Sequence, residues 1–185
     1  MSTFVTRRAA FGIAATAALA SLTACARDIR PLSDPRTPKE QRSYKGELKF
    51  NSYESRGTYV PATSSKKAEN PPKPIPPAKM RAKTTEGMYA AIGFWVASFN
   101  YLILSGDIEP FMAVDINRND IYKAEAFSKL YKSNTGWMYG ADAPVSANLT
   151  EDAPEQVNEH QYRWTATSRY HKNTTIPYTD DRELT

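Results

Sequence analysis

The sequence predicts an α+β fold with helices first and strands after, and three observations carry that prediction. Composition changes near residue 83: nine of the 13 prolines lie between 26 and 83, whereas 15 of the 21 aromatics lie between 84 and 185. Only the second segment therefore has the apolar side chains to bury a core. From Gly87 to Lys132 apolar residues recur at helical spacing, and from Gln161 to His171 the period switches to two. A chain of 185 residues has room for one such domain.

Gly87 to Gly106 is a run without a formal charge. Met88, Ile92, Trp95, Phe99, Leu102 and Ile103 recur every three or four residues, the stripe of a core helix. Ala90 and Ala97 on the other side allow a close neighbour. Glu86 suits the positive first turn and Gly106 the stop. The length also fits a membrane span, but Gly93, Ser98, Asn100 and Ser105 dilute the run, and Asn100 would be costly in lipid. We read a buried core helix. A short helix follows from Glu109 to Val114, with Pro110 near its start. Asn119 or Asp120 is placed to cap a third helix running to about Lys132. Its apolar face is Ile121, Ala124, Phe127 or Ala126, Leu130 and Tyr131, and Lys129 and Lys132 suit its negative end.

Trp137 to Tyr139 and Pro144 to Leu149 read as strand pieces around a bend at Gly140. The clearest strand is Gln161 to His171. Tyr162, Trp164, Ala166, Ser168 and Tyr170 point one way, and Gln161, Arg163, Thr165, Thr167 and Arg169 the other. Such a strand belongs to a sheet with one face on helices and one toward water.

Residues 1–25 contain no acid; Arg7 and Arg8 precede an alanine-rich run from Ala9 to Ala20, the pattern of a secretory signal. The run ends in Leu22-Thr23-Ala24-Cys25, which resembles a bacterial lipobox. That resemblance implies diacylglyceryl transfer to Cys25 and cleavage before it. Residues 1–24 are then a lipoprotein signal peptide, and the anchor holds the mature chain on the extracytoplasmic face of the cell membrane. Thr6-Arg7-Arg8 also fits a twin-arginine signal, although Phe11 comes one place late, so both export routes stay open.

Residues 25–83 read as a lipid-anchored, proline-rich, disordered tether. The part from 26 to 83 carries 14 basic and 6 acidic side chains, and Asn70 to Pro77 favours polyproline II. Two readings of its charge stand: a tether lying on anionic lipid or wall polymer, or a solvated spacer. Residues 84–185 carry 8 basic and 14 acidic side chains. Of these, 84–172 are the expected domain and 173–185 a polar tail.

A wider pattern runs through Tyr59, Pro61-Ala62-Thr63, Ala68, Asn70, Pro72, Pro74 and Pro77. It continues in Lys83-Thr84-Thr85-Glu86-Gly87 and Phe94-Trp95, in Ser105-Gly106-Asp107-Ile108-Glu109-Pro110-Phe111, and in Gly136-Trp137. On these residues the chain from Tyr59 to about Tyr170 resembles an actinobacterial lipoprotein family of unknown function. The resemblance implies a long helix and two shorter ones packed on a small curved antiparallel sheet, similar to the NTF2-like cone, and brings no established activity. The chain departs from the family in two ways. The Cys-x-x-Cys pair that members often carry near the third helix has no counterpart between Asn119 and Phe127. Little chain follows Tyr170, so the expected cone is incomplete.

One cysteine excludes an intramolecular disulfide framework, and two histidines leave little for a metal site. No metal or cofactor is expected, and Asp180-Asp181-Glu183 reads as solvated tail. Nucleic-acid binding is disfavoured, because the positive charge sits on the tether of an exported chain. Candidate acid–base groups are Asp107, Glu109, Asp115, His160 and His171. Asp107 and Glu109 have a simpler role capping the short helix, and no catalytic residue is assigned. Trp95, Trp137, Tyr139, Trp164 and Tyr170 could line a concave pocket or simply fill the core. The expectation is a cell-surface protein that binds or scaffolds without catalysis, its partner an envelope protein, a glycan or a lipid. The alternative is an NTF2-like small-ligand enzyme or carrier with an aromatic-lined pocket.

Overall fold

The computed structural model describes residues 42–54, 56–114, 118–159 and 161–175. The expected signal peptide, lipobox and Cys25 lie outside the described residues. Three helices, α1 (Thr85–Ser105), α2 (Glu109–Met112) and α3 (Arg118–Lys132), are accompanied by seven short strands. Strands β1 (Gly46–Glu47), β4 (Val145–Leu149) and β7 (Ala166–Tyr170) form one antiparallel sheet in the order β1-β4-β7. β2 (Tyr53–Glu54) pairs with β3 (Lys73–Pro74), and β5 (Glu155–Asn158) with β6 (Gln161–Arg163). The architecture is α+β with small antiparallel sheets and, among the described residues, no closed barrel.

α1 starts where the Thr84 hydroxyl accepts the Gly87 N–H at 3.0 Å, satisfying one of the orphan donors of the first turn. It stops at Gly106, whose φ of 74° is left-handed and whose N–H reaches Leu102 O, the glycine stop expected. The helix is long and apolar enough to cross a membrane, yet 67% of its most apolar stretch is buried inside the fold. Asn100, the residue that argued against a span, donates to Val145 O at 2.8 Å and accepts from Val145 N at 2.7 Å. The amide thus pins α1 to the first residue of β4.

The segment before α1 departs most from expectation. The sequence placed residues 25–83 in a disordered tether and opened the domain at 84, but the structured chain already includes Tyr44, which is 6% exposed. Tyr44, Ile92, Leu149 and Trp164 form one core cluster, with Leu48, Met88, Tyr89 and Ala166 around it. Phe50 packs against Phe94 with ring centroids 6.1 Å apart, and a Cβ on Gly93 would meet the Phe50 ring at 3.3 Å. The small-residue side of α1 is therefore covered, and by this very segment. Composition hid the arrangement because Tyr44, Leu48, Phe50 and Tyr53 are few and lie among prolines and lysines. A two-residue strand leaves no periodicity to read.

The helices after α1 follow the sequence closely. α2 ends at Met112, and α3 begins at Arg118, so Asn119 and Asp120 fall in its first turn rather than at its cap. Leu102, Phe111 and Ala124 are buried together where α1, α2 and α3 meet. The expected strand at Trp137 to Tyr139 is reduced to a single bridge between Tyr139 and Thr175. The expected strand from Gln161 to His171 is split. Trp164, fully buried, donates from Nε1 to Glu151 O at 3.0 Å, and Thr165 O accepts from Thr150 N. Swallowing the indole breaks the strand, so β6 joins the β5 hairpin and β7 joins the main sheet.

Candidate functional site

The turn from Gly106 to Pro110 gathers ionisable side chains from three parts of the chain. Ser105 Oγ donates to Tyr101 O at 2.6 Å and accepts from Asp107 N at 3.0 Å. Asp107 Oδ1 then accepts the Glu109 N–H at 3.0 Å, so Asp107 does serve the start of α2. Glu109 instead reaches across to Lys73 Nζ on β3, which also lies 3.5 Å from Asp107 Oδ2. The Lys73 side chain is only 16% exposed. Its hydrogen bond to Glu109 raises its pKa above the usual lysine value, although burial opposes the rise. Burial first, and then the Asp107 charge, raise the pKa of Tyr101 as well. At neutral pH the lysine is thus charged and the phenol neutral. A protonated amine has no lone pair with which to attack or to take a proton. The cluster acts by electrostatics, tying β3 to the end of α1.

A second group centres on Tyr131. Its hydroxyl donates to Ile103 O at 2.6 Å and accepts from Met138 N at 3.1 Å. Burial pushes the phenol up to about 12, against the effect of the Met138 N–H. Lys67 Nζ donates to Tyr131 O at 2.9 Å and stands 5.6 Å from the ring centroid, a cation–π distance. Nearby, Trp137 Nε1 donates to Thr63 O at 2.8 Å, and Tyr59 OH to Asp142 Oδ1 at 3.0 Å. Burial and the Asp142 bond both raise the Tyr59 pKa. Residues 59–67 are thereby strapped over the connection between α3 and β4.

The five aromatic residues expected to line a pocket do not meet. Trp164 packs with Tyr44 and Tyr89. Trp95 stacks on Phe99 and touches Phe111 in the helical cluster. Trp137 faces the 59–67 strap, Tyr139 holds the bridge to Thr175, and Tyr170 is 64% exposed at the end of β7. Two open depressions are present. One, of about 250 Å³, is lined by Pro61, Ala62, Gly140, Ala141 and Asp142; the other, of about 330 Å³, by Glu151, Ala153, Pro154, Glu155, Arg163 and Thr165. Neither is lined by an aromatic side chain: Trp95 and Trp164 are taken up in core clusters, and Trp137, Tyr139 and Tyr170 lie elsewhere on the fold. Of the candidate acid–base groups, His171 is exposed and accepts the Asn173 N–H, while Asp115 and His160 lie outside the described residues. Among the described residues, no three His, Cys, Asp or Glu side chains gather as metal ligands would.

A family of unknown function, DUF6318, matches residues 57–185. The chain belongs to it. No curated protein and no solved structure matches the chain. The DUF6318 match begins well ahead of α1. The family's unit therefore includes both Lys67 and Lys73, the two cations that bind the early segment to Tyr131 and to the Glu109 turn. Sequence reasoning missed these lysines by assigning them to a tether. No local signal marked them, because their partners lie far along the chain.

Proposed function

We propose that this DUF6318 chain is a lipid-anchored protein of the extracytoplasmic face of the cell membrane, and that its domain binds or scaffolds without catalysing a reaction. The reading extends to an actinobacterial lipoprotein with an incomplete NTF2-like order of helices and strands. The Leu22-Thr23-Ala24-Cys25 sequence carries it, closing an acid-free, alanine-rich run behind Arg7 and Arg8. Two acyl chains on one cysteine give stable anchoring where one would be marginal. The non-catalytic part is supported by how the side chains are used: Trp95 and Trp164 fill core clusters, and Lys73 is held in ion pairs with both Asp107 and Glu109.

The test is metabolic labelling with a palmitate analogue in a host that processes lipoproteins. Labelled wild-type chain in the membrane fraction is expected, with Cys25→Ala unlabelled. Recovery of unlabelled wild-type chain still carrying residues 1–25 would overturn the reading.

A further inference from the structure

The β1-β4-β7 sheet turns one face to the core and the other outward. Val145, Ala147 and Leu149 are buried and their neighbours along β4 are not, so Ser146 and Asn148 lie on the outer face. Register sets Glu47 opposite Asn148, Asn148 opposite Thr167, and Ser146 opposite Arg169. Leu48 N donates to Ala147 O at 2.8 Å, and one further step along the chain brings exposed Lys49 level with Ser146 and Arg169. Leu48 and Phe50 on either side of it turn inward. Lys45, exposed just before β1 and separated from Glu47 by Gly46 at a φ of 113°, lies at the edge of this face. The outer face therefore carries Lys49 and Arg169, with Lys45 at its edge, against one acid, Glu47, over an uncharged middle strand. At its rim Arg42 covers the Tyr44 ring, and Asp152 is held by the Ser43 hydroxyl. This excess of positive charge belongs to a sheet two of whose three strands come from the acidic part of the chain.

The same face lies beside the point where the chain from Cys25 joins the fold. Sixteen residues separate Cys25 from Arg42, a reach of at most about 60 Å even when fully extended. Lys49 and Arg169 are two strand spacings apart, about 10 Å. Cations at that interval on the open face of a sheet match a planar array of phosphates better than a single enclosed ion.

We propose that this outer face rests on an anionic lipid bilayer, with Lys45, Lys49 and Arg169 toward the headgroup phosphates. Its orientation toward the membrane rests on the lipid-anchor reading above; its charge pattern does not. The test uses the full chain carrying Cys25→Ala and compares its partition onto vesicles of phosphatidylcholine alone with that onto an equimolar mixture with phosphatidylglycerol. The ratio cancels what the apolar run of residues 9–20 contributes, and comparing two double variants of equal charge change cancels what Arg7 and Arg8 add. Each well-placed cation is worth about five-fold in partition at low salt. Lys49→Gln with Arg169→Gln is thus expected to lower the ratio by about 25-fold. Lys129→Gln with Lys132→Gln, the same change in net charge on α3, should alter it less than about two-fold. Thr167→Lys, adding a cation to the same face two residues from Arg169 on β7, is expected to raise it. Equal losses from both double variants, or a ratio of one for the unaltered face, would overturn the proposal. Palmitate labelling reads the anchor separately: labelling with a ratio of one removes the sheet face alone, and a high ratio without labelling removes the anchor alone.

Discussion

Gly106 lies so close to Tyr131 that a Cβ added to the glycine would stand 2.2 Å from the tyrosine Cβ. The glycine also holds φ at 74°, where other residues are strained. Gly106→Ala is therefore expected to destabilise the fold by about 2 kcal/mol or more, the left-handed penalty adding to overpacking. Urea unfolding followed by tryptophan fluorescence measures it. A loss no larger than that of an exposed helical substitution would show that α1 and α3 can part without cost.

Asn100→Leu keeps most of the side-chain volume and removes both bonds to Val145. It leaves a buried N–H and a buried carbonyl without their partner, at a cost of about 2–4 kcal/mol. The same substitution makes α1 more apolar, so a stabilised variant would mean that burial outweighs the pin. The midpoint of thermal unfolding decides between these.

A chain starting at residue 84 is expected not to fold cooperatively, whereas one starting at 42 should. The first lacks Tyr44, Leu48 and Phe50, which cover Ile92, Gly93 and Phe94. A sharp melting transition for the chain from 84 would restore the shorter domain.

Alkaline pH should unfold the protein between about pH 10 and 12. Tyr59, Tyr101 and Tyr131 all have pKa values raised above 10.0 on folding, so the folded state holds more protons than the unfolded state through that range. Stability is then complete below pH 10. It falls by about 1.4 kcal/mol per pH unit for each such phenol, until each folded-state value is passed, about 12 for Tyr131. The raised pKa of Lys73 acts with the same sign above 10.5. Because Tyr122 and Tyr170 are exposed, the phenolate absorbance of a buried ring is read as the difference between the unaltered chain and Tyr131→Phe, and that difference should appear together with loss of structure. Its appearance in a chain that keeps its native circular dichroism would contradict the burial of Tyr131.

Helices were legible in this sequence because each spans several turns of one repeating period. Glu86, Gly106 and the pair Lys129 and Lys132 marked their ends by chemistry that needs no tertiary contact. The strands were less so. The Gln161 to His171 alternation gave the right faces for Ala166, Thr167 and Arg169, but a single run of alternating residues cannot show that Trp164 would be drawn into the core and divide it. The two lysines of the ionic and cation–π contacts were invisible for a different reason. Lys67 and Lys73 acquire partners only when residues far along the chain fold beneath them, and local composition there describes a solvated spacer. The aromatic residues carried no geometric information either: a Trp in a core and a Trp in a pocket have the same neighbours in sequence.

The order β1-β4-β7 sets the opening strand and the closing strand on either side of one drawn from late in the chain. Gly46 finds its partner only at Leu149, roughly a hundred residues downstream, a closure that is entropically slow. A ribosome must therefore release almost the whole polypeptide before that sheet can assemble. Until then the part of α1 around Ile92 lacks the cover of Leu149 and Trp164, which leaves the newborn chain vulnerable to clumping.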